Sequence, residues 1–543
     1  MGEDGKNCST TINLKKFVPW SGVRSAPWAA DAVIAIGLFV AALVVRLPNL
    51  MLMPAFTDET VEVLHSLPIL HGTPILLTNA DPYYGSIFNY MVAAVFYLVG
   101  PSAEHARLLV TLLGAATIPL CYFFAKELED QQTGIVAALM MLTSAALIWN
   151  GHIAWENETT PFFATLTFLV LALALKRGSG PLLVVAGFCY GLTLQTHPGL
   201  IILGVGLLIY FVYAGVFSLR LQLPRSLHGW AVTPWPYLAV LGAAVGYGNV
   251  IAQNILHPAS EWIAAQRHTY AYVPAQTLDG YVADFQNFWI MLLRMASSSF
   301  DGRSTPVEYL LVPINVLYIA VLAAGVGYAF KTGKLMPVIL LVTTGIMLPY
   351  FNKSYGYPGA ARYVGYLFPL LYLLAATPLT RAAQGGGGRF SLAKRYIWLL
   401  MAFLVVVPAI SLYGFYRSQE ATGNTNDRVL AVHDLLRQQY LVGAISEVLI
   451  DNRMSGDSLG GGGNVARSED YLFTLDGVPH RSLNVTPEAL KTEMRRASAR
   501  SVGVIVGTQE YRALSAQVPL SVLGPELKDD KGGITYGAYV TQQ

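Results

Sequence analysis

Apolar stretches separated by short polar ones fill the chain as far as Tyr416, and the pattern changes abruptly after it. An apolar run of about 17 residues or more is long enough to cross a bilayer as a helix. Runs of that kind lie at about 30–46, 106–125, 133–150, 160–175, 181–197, 199–219, 235–255, 306–330, 335–351, 363–380 and 396–416, which predicts about eleven spans. The run 83–100 (YYGSIFNYMVAAVFYLVG) is borderline in length and opens on tyrosines and Asn89. Loop charge decides how to read it. With 83–100 left out of the count, the N-terminus and the loops 126–133, 176–180, 220–234, 331–334 and 381–395 carry about 15 Lys/Arg in about 77 residues. The opposite loops, 46–107, 151–160, 256–305 and 352–362, carry about 7 in about 133. Excess Lys and Arg marks the cytoplasmic side, so the N-terminus is read as inside and the C-terminus as outside. The run 83–100 is then a juxtamembrane or re-entrant helix of the outer face, packed on protein.

Three regions follow: a cytoplasmic segment 1–28, a transmembrane domain 29–418 with outer loops 47–105 and 256–305, and an extracytoplasmic domain 419–543. The last region alternates helical and strand-like patterns, from NDRVLAVHDLLRQQY and SEVLIDN through PEALKTEMRRASARSVGVIVG to ITYGAYVTQ. That alternation predicts a small α/β domain. The fold class is therefore an all-α polytopic membrane domain with a C-terminal α/β domain. The Gly-rich stretch GGGGNVA lacks the Lys-Ser/Thr ending of a phosphate loop and reads as a connection. GGGG at 385–388 reads as a linker.

Composition agrees with this picture. Hydrophobic residues make up 54% of the 543, and charged residues only 13%, about half the usual soluble fraction of roughly 25%. A soluble enzyme, a disordered chain and a secreted disulfide scaffold are excluded. The net charge of +2 leaves no nucleic-acid footprint, and three cysteines build no disulfide framework. The first apolar run ends at Arg46 without a small-residue cleavage site and reads as a retained span. The expected location is multi-pass in a plasma (inner) membrane, preferred over the endoplasmic reticulum because the sequence shows no ER-retrieval tail.

The predicted span interiors hold almost nothing titratable, which argues against an ion-coupled pump. The acids gather in outer loops: Asp58, Glu59, Glu62 and Asp81 in the first, Glu156 and Glu158 in the second. The loop 256–305 adds Arg267 and His268, and the loop 352–362 adds Arg362. Within FTDET, Asp58 opens a short helix, where an acid suits the helix dipole. A carboxylate at the membrane boundary can act as a general base toward a hydroxyl, while nearby cations receive a phosphate leaving group.

Four motifs in order carry a resemblance: the Asp58-Glu59 pair after the first span, DPYYGSIFNY, HARLLVTLLGAATIPLCYFFAKEL followed by HIAWENETTPFF, and ARYVGYLFPLLYLL. The chain resembles the GT-C superfamily of polyprenyl-phosphate-sugar glycosyltransferases over roughly 50–416, and within it the branch of protein O-mannosyltransferases and aminoarabinose transferases. The resemblance implies an inverting transfer of a sugar from a polyprenyl-phosphate donor to a hydroxyl on a protein, lipid or glycan acceptor, at the outer face of the bilayer. It implies Asp58 as base with Glu59 supporting it, and no obligatory metal. In the aminoarabinose transferases a lysine precedes the proline of the second motif, whereas this chain has Asp81. The phosphate then falls to Arg362 first, with Arg267 and His268 next. Asp81 with His268 supplies only two ligands, too few for a metal site. Tyr83 and Tyr84 are candidate sugar or lipid contacts, and Glu156 sits where relatives place an acid near the donor. The competing readings are a polytopic transporter or lipid flippase, and a family member without activity that serves as an assembly scaffold.

Overall fold

Helix boundaries fall where the chain supplies caps and breakers. The computed structural model describes residues 28–53, 58–72, 77–79, 83–221, 233–257, 277–299, 312–351, 363–385, 392–421, 427–454, 465–497, 501–524 and 536–541. The first helices are α1 (Trp28–Arg46), α2 (Asp58–Leu64), α3 (Leu67–Leu70), α4 (Ile87–Val99), α5 (Ala103–Leu128), α6 (Gln131–Leu142) and α7 (Ala145–Asn150). Next come α8 (Thr160–Arg177), α9 (Gly180–Thr196), α10 (Ile201–Leu221), α11 (Trp235–Gly246), α12 (Gly248–Leu256) and α13 (Leu278–Ser297). The apolar series closes with α14 (Pro313–Thr332), α15 (Met336–Phe351), α16 (Phe368–Gly385) and α17 (Leu392–Ala421). Ser102 accepts from the His105 N–H to start α5, and Asp130 accepts from Thr133 to start α6; each satisfies an amide that a helix start leaves unpaired.

Five helical stretches among the described residues are long and apolar enough to cross a membrane: Trp28–Arg46, Ala103–Leu128, Glu156–Arg177, Pro313–Thr332 and Lys394–Arg417. A sixth is the pair α11 and α12, bent by 67° at Tyr247. The run 133–150 is broken at Thr143–Ser144 into α6 and α7. The run 83–100 yields a helix of only 13 residues, α4, about 20 Å long against a hydrocarbon core of roughly 30 Å. The stretch 256–305, read from sequence as an outer loop, contains the 20-residue helix α13. Its Asp279, Asp284 and Arg294 interrupt the apolar run, while Phe288, Met291, Leu292 and Met295 are buried against the bundle. An amphipathic stripe forms this helix, not uniform hydrophobicity.

Two contacts fix the bundle, one near the second motif and one at the far end. Helices α9 and α11 meet backbone to backbone at glycines. A Cβ at Gly191 would lie 2.2 Å from the Ala243 carbonyl, and one at Gly246 would lie 2.3 Å from that of Phe188. At the far end, Glu129 after α5 binds Lys334 at 3.0 Å and Arg381 at 2.9 Å, and Arg381 reaches Asp130 at 3.1 Å. This ion-pair network ties the α5–α6, α14–α15 and α16 ends together.

The C-terminal region folds as α18 (Asp427–Leu441), β1 (Ile445–Asp451), α19 (Val465–Leu475), β2 (His480–Leu483), α20 (Pro487–Arg496), β3 (Ser501–Gly507), α21 (Thr508–Ser515), β4 (Leu520–Val522) and β5 (Tyr536–Thr541). The sheet order is β2-β1-β3-β5-β4, with β1 parallel to β2 and β3, and β5 antiparallel to β3 and β4. One face of the sheet packs Val432, Leu436 and Phe473 from α18 and α19. The other packs Leu490 and Leu514 from α20 and α21. A helix, the α19 that sequence reasoning passed over, also leaves this domain. Its Tyr471, Leu472 and Leu475 join Val63, Phe88, Val92, Phe96 and Val110 of the membrane domain in one apolar cluster.

Candidate active site

The end of α1 is locked before the chain enters the first loop. Arg46 is 1% exposed and reaches the Leu142 carbonyl at 3.4 Å. His152 Nε2 hydrogen-bonds the Arg46 carbonyl, and the Tyr416 hydroxyl lies 3.1 Å from His152 Nδ1. Burial holds the His152 pKa down at about 4, so the ring is neutral. A neutral ring donates from Nε2 to Arg46 and accepts from Tyr416 at Nδ1. Thr111 donates to the Gly151 carbonyl at 2.9 Å. One set of bonds thereby positions both the approach to α2 and the loop that carries Glu156.

Asp58 begins α2, its side chain lying outside the described residues. Its neighbour Glu59 is fully buried and takes a bidentate grip from Arg107 of α5, with both Nε–Oε1 and Nη2–Oε2 at 3.0 Å. Arg107 Nη1 also donates to the Leu50 carbonyl at 3.2 Å. Burial pushes the Glu59 carboxyl up, while Arg107, the Ala154 amide and the Tyr471 hydroxyl pull it back toward the ionised form. Three segments remote in sequence converge on this one carboxylate.

One turn along α2, Glu62 Oε2 accepts from the Glu156 amide at 2.7 Å, and the Glu62 carbonyl accepts from Asn89 at 2.7 Å. Asn89 also donates to Asn79 Oδ1 at 3.0 Å, and Asn79 donates to Glu156 Oε2. Glu62, Glu156, Glu158, Asn79 and Asn89 are all buried. An acidic, amide-lined knot therefore lies directly beside α2.

The second motif is folded onto the end of α9. Gly85 N–H donates to the Gln195 carbonyl at 2.8 Å, and Ile87 N–H to Gln195 Oε1 at 3.3 Å. A Cβ on Gly85 would sit 2.3 Å from Gln195 Oε1, so only glycine permits this approach. The bridge between Thr78 and Gly85 and the bond from Asn79 N–H to the Tyr84 carbonyl close the segment into a hairpin. Tyr83 and Tyr84 are neighbours at 4.8 Å between ring centroids. Tyr84 faces His197 at 6.0 Å, and His197 faces Tyr363 at 5.0 Å. An aromatic column thus joins the second motif to the start of the fourth.

Of the residues singled out from sequence, Glu59, Tyr83, Tyr84 and Glu156 are described and lie on these connected elements. Asp81, Arg267, His268 and Arg362 lie outside the described residues, though the neighbours Asn79, Tyr83 and Tyr363 belong to the network. Sequence reasoning gave no role to Arg107, Asn79, Asn89, Gln195 or Tyr471. Arg107 stood inside a quoted motif, and Glu62 lies four residues after Asp58, one helical turn on. The amides and Tyr471 carried no signal. Among the described residues no three His, Cys, Asp or Glu come together as a metal would require.

Residues 85–246 match the family model described as dolichyl-phosphate-mannose-protein mannosyltransferase. The structure superposes on ArnT from Cupriavidus metallidurans bound to undecaprenyl phosphate with a TM-score of 0.56 at 14% identity, covering 94% of this chain and 98% of that one. The apo state of the same protein gives 0.55 at 14% identity, covering 95% and 98%. The apo oligosaccharyltransferase from Archaeoglobus fulgidus gives 0.51 at 12% identity, covering 90% of this chain and 71% of that one. No protein of curated function matches the chain by sequence. The fold is that of the GT-C membrane glycosyltransferases, mostly helical with a small C-terminal sheet.

Proposed function

We propose that this chain is an inverting glycosyltransferase. It moves a sugar from a polyprenyl-phosphate donor to an acceptor hydroxyl at the outer face of a membrane that it crosses about eleven times. The N-terminus is cytoplasmic and the C-terminal domain extracytoplasmic, in keeping with the Lys/Arg excess of the opposite loops. The observation that carries the reading is the bidentate Glu59–Arg107 pair, which fixes the helix that Asp58 opens. The fold shared with ArnT, a protein solved with undecaprenyl phosphate bound, supports a lipid-phosphate donor.

Asp58 takes the acceptor hydroxyl proton as the acceptor oxygen bonds to the anomeric carbon. The bond from that carbon to the phosphate oxygen breaks on the opposite face, and the lipid phosphate leaves with the electron pair. Arg362 receives it first, aided by Arg267 and His268, and no metal is obligatory. Tyr84, half-buried against the buried ring of Tyr83, offers a face to the sugar, while Glu156 belongs to the acidic wall beside α2. Glu59, with both oxygens held by Arg107, supports Asp58 by position.

Purified protein given polyprenyl-phosphate mannose and scored for hydrolysis or transfer tests the proposal. Asp58→Asn is expected to lose about 100-fold or more in turnover, the usual scale for a general base, with melting temperature and donor binding kept. Turnover within a few-fold of the parent would remove Asp58 from the role. Arg362→Ala is expected to weaken donor binding more than acceptor binding, and equal donor affinity would count against it.

A further inference from the structure

The span formed by α11 and α12 is bent by 67° at Tyr247, and a break of that kind leaves backbone carbonyls that lipid cannot satisfy. One side chain from α9 meets this need. Gly191 and Gly246 bring the two backbones together, so Gln195, one turn beyond Gly191, reaches the break. Its Nε2 donates to the Gly246 carbonyl at 2.6 Å. Its Oε1 accepts twice, from the Ile87 N–H at 3.3 Å and from Asn249 Nδ2 at 2.9 Å. Two donors on one side and an acceptor on the other leave this amide a single orientation.

Asn249, in the first turn of α12, directs its amide to Ser86 Oγ as well, at 3.1 Å. Ser86 in turn donates to the Leu77 carbonyl at 3.3 Å. Tyr247, at the bend itself, donates to the Tyr83 carbonyl at 3.1 Å. The break and the hairpin of the second motif are therefore one joint. Past it, α12 carries exposed Ile251, Ile255 and Leu256, and the hairpin carries Tyr84. The joint ties an apolar surface to a polar one, the pair that a donor half lipid and half sugar needs.

We infer that Gln195 and Asn249 are positioning residues for the donor: their two amides tie the α11–α12 break to the hairpin, so that the bend sets where Tyr84 stands. The inference rests on the transfer chemistry proposed above, and neither amide touches substrate. A loosened joint lets the hairpin shift while Arg107 still holds α2 from α5. Donor binding is then weakened and the chemical step kept.

Gln195→Met and Asn249→Leu keep the approximate volume and remove the amides. Each is expected to raise KM for polyprenyl-phosphate mannose about 10-fold, the scale of one or two lost hydrogen bonds, with kcat within about 3-fold of the parent. Amide hydrogen exchange at residues 85–90 becomes faster in both. Asn249 bonds no backbone amide of that segment, so faster exchange there in Asn249→Leu reports transmission from α12 through the joint. Where Gln195→Met does not fold, Asn249→Leu, which leaves the bonds to Ile87 and Gly246 in place, decides by itself. Gln384→Met makes the same change at the far end of the bundle, where the amide reaches Asp130 and Gln132 at 3.1 Å. It is the control expected to match the parent in donor KM and in exchange at 85–90. Parental KM in the folded variants, a fall in kcat at parental KM, or parental exchange at 85–90 in Asn249→Leu overturns the inference. If the parent transfers nothing from this donor, the proposed function fails instead. Exchange at 85–90 in Asn249→Leu then still decides the joint, faster exchange supporting it and parental exchange sinking it.

Discussion

His152 is where a single proton matters for the end of the bundle that carries Glu59 and Glu156. Its two ring nitrogens join the end of α1 to Tyr416 of α17, and the bond that Nδ1 accepts from the Tyr416 hydroxyl needs the neutral ring. The folded-state pKa is near 4 because burial disfavours the charge, against about 6.5 in an unfolded chain. The unfolded state therefore binds the proton first as pH falls. The stability from this group is complete above about pH 6.5 and is lost as pH falls toward and through 4. Thermal unfolding followed from pH 7.5 to 4.5 is expected to give a falling melting temperature below about 6.5. His152→Gln, which can donate to Arg46 but cannot titrate, should flatten that fall, and an unchanged slope would clear His152 of the effect. At this level the sequence was partly legible. Asp58-Glu59 and Glu156 stand out as acids beside predicted spans. The partner of Glu59 does not, because nothing along the chain says that residue 107 will face residue 59.

Helices α9 and α11 reach the site through their backbones. A methyl on Gly191 would meet the Ala243 carbonyl at 2.2 Å, an atom that cannot rotate away. Gly191→Ala must therefore separate the helices, at a cost of about 1–3 kcal/mol for overpacking. Four residues on, Gln195 holds the hairpin that bears Tyr83 and Tyr84. The variant is expected to lower the melting temperature and to weaken binding of undecaprenyl phosphate together. Gly327→Ala on α14, where an added Cβ meets nothing within 4 Å, should leave both unchanged. A Gly191→Ala variant that loses stability but binds the lipid normally would show that α9 does not transmit to the hairpin. Most apolar helices could be read from hydrophobicity alone, since lipid demands it of any span. Helices α13 and α19 could not. The first mixes Asp and Arg into its apolar stripe, and the second, VARSEDYLFTL, follows a Gly-rich stretch that masks its start.

Two fastenings act on the molecule as a whole, at opposite ends. The Glu129–Lys334–Arg381 network closes one end, and the α19 cluster closes the other. From sequence the C-terminal domain looked like a separate unit. Its joint with the membrane domain was illegible because Tyr471, Leu472 and Leu475 read equally well as that domain's own core. In the structure they bury against Val63, Phe88 and Val92, at about 1.5–3 kcal/mol for each large side chain fully removed from water. An interface of that kind does not depend on the peptide link. A protease site placed between Ala421 and Asp427 should therefore be cleavable without releasing the C-terminal domain. The clipped pieces are expected to co-elute from a sizing column in detergent and to keep the parent's turnover. Adding Leu472→Asp and Leu475→Asp puts two unpaired carboxylates into the cluster, each costly to bury, and cleavage should then free the domain. If the unmutated pieces part on clipping, the covalent tether holds the domain, and the apolar cluster is too weak to keep α19 against α2.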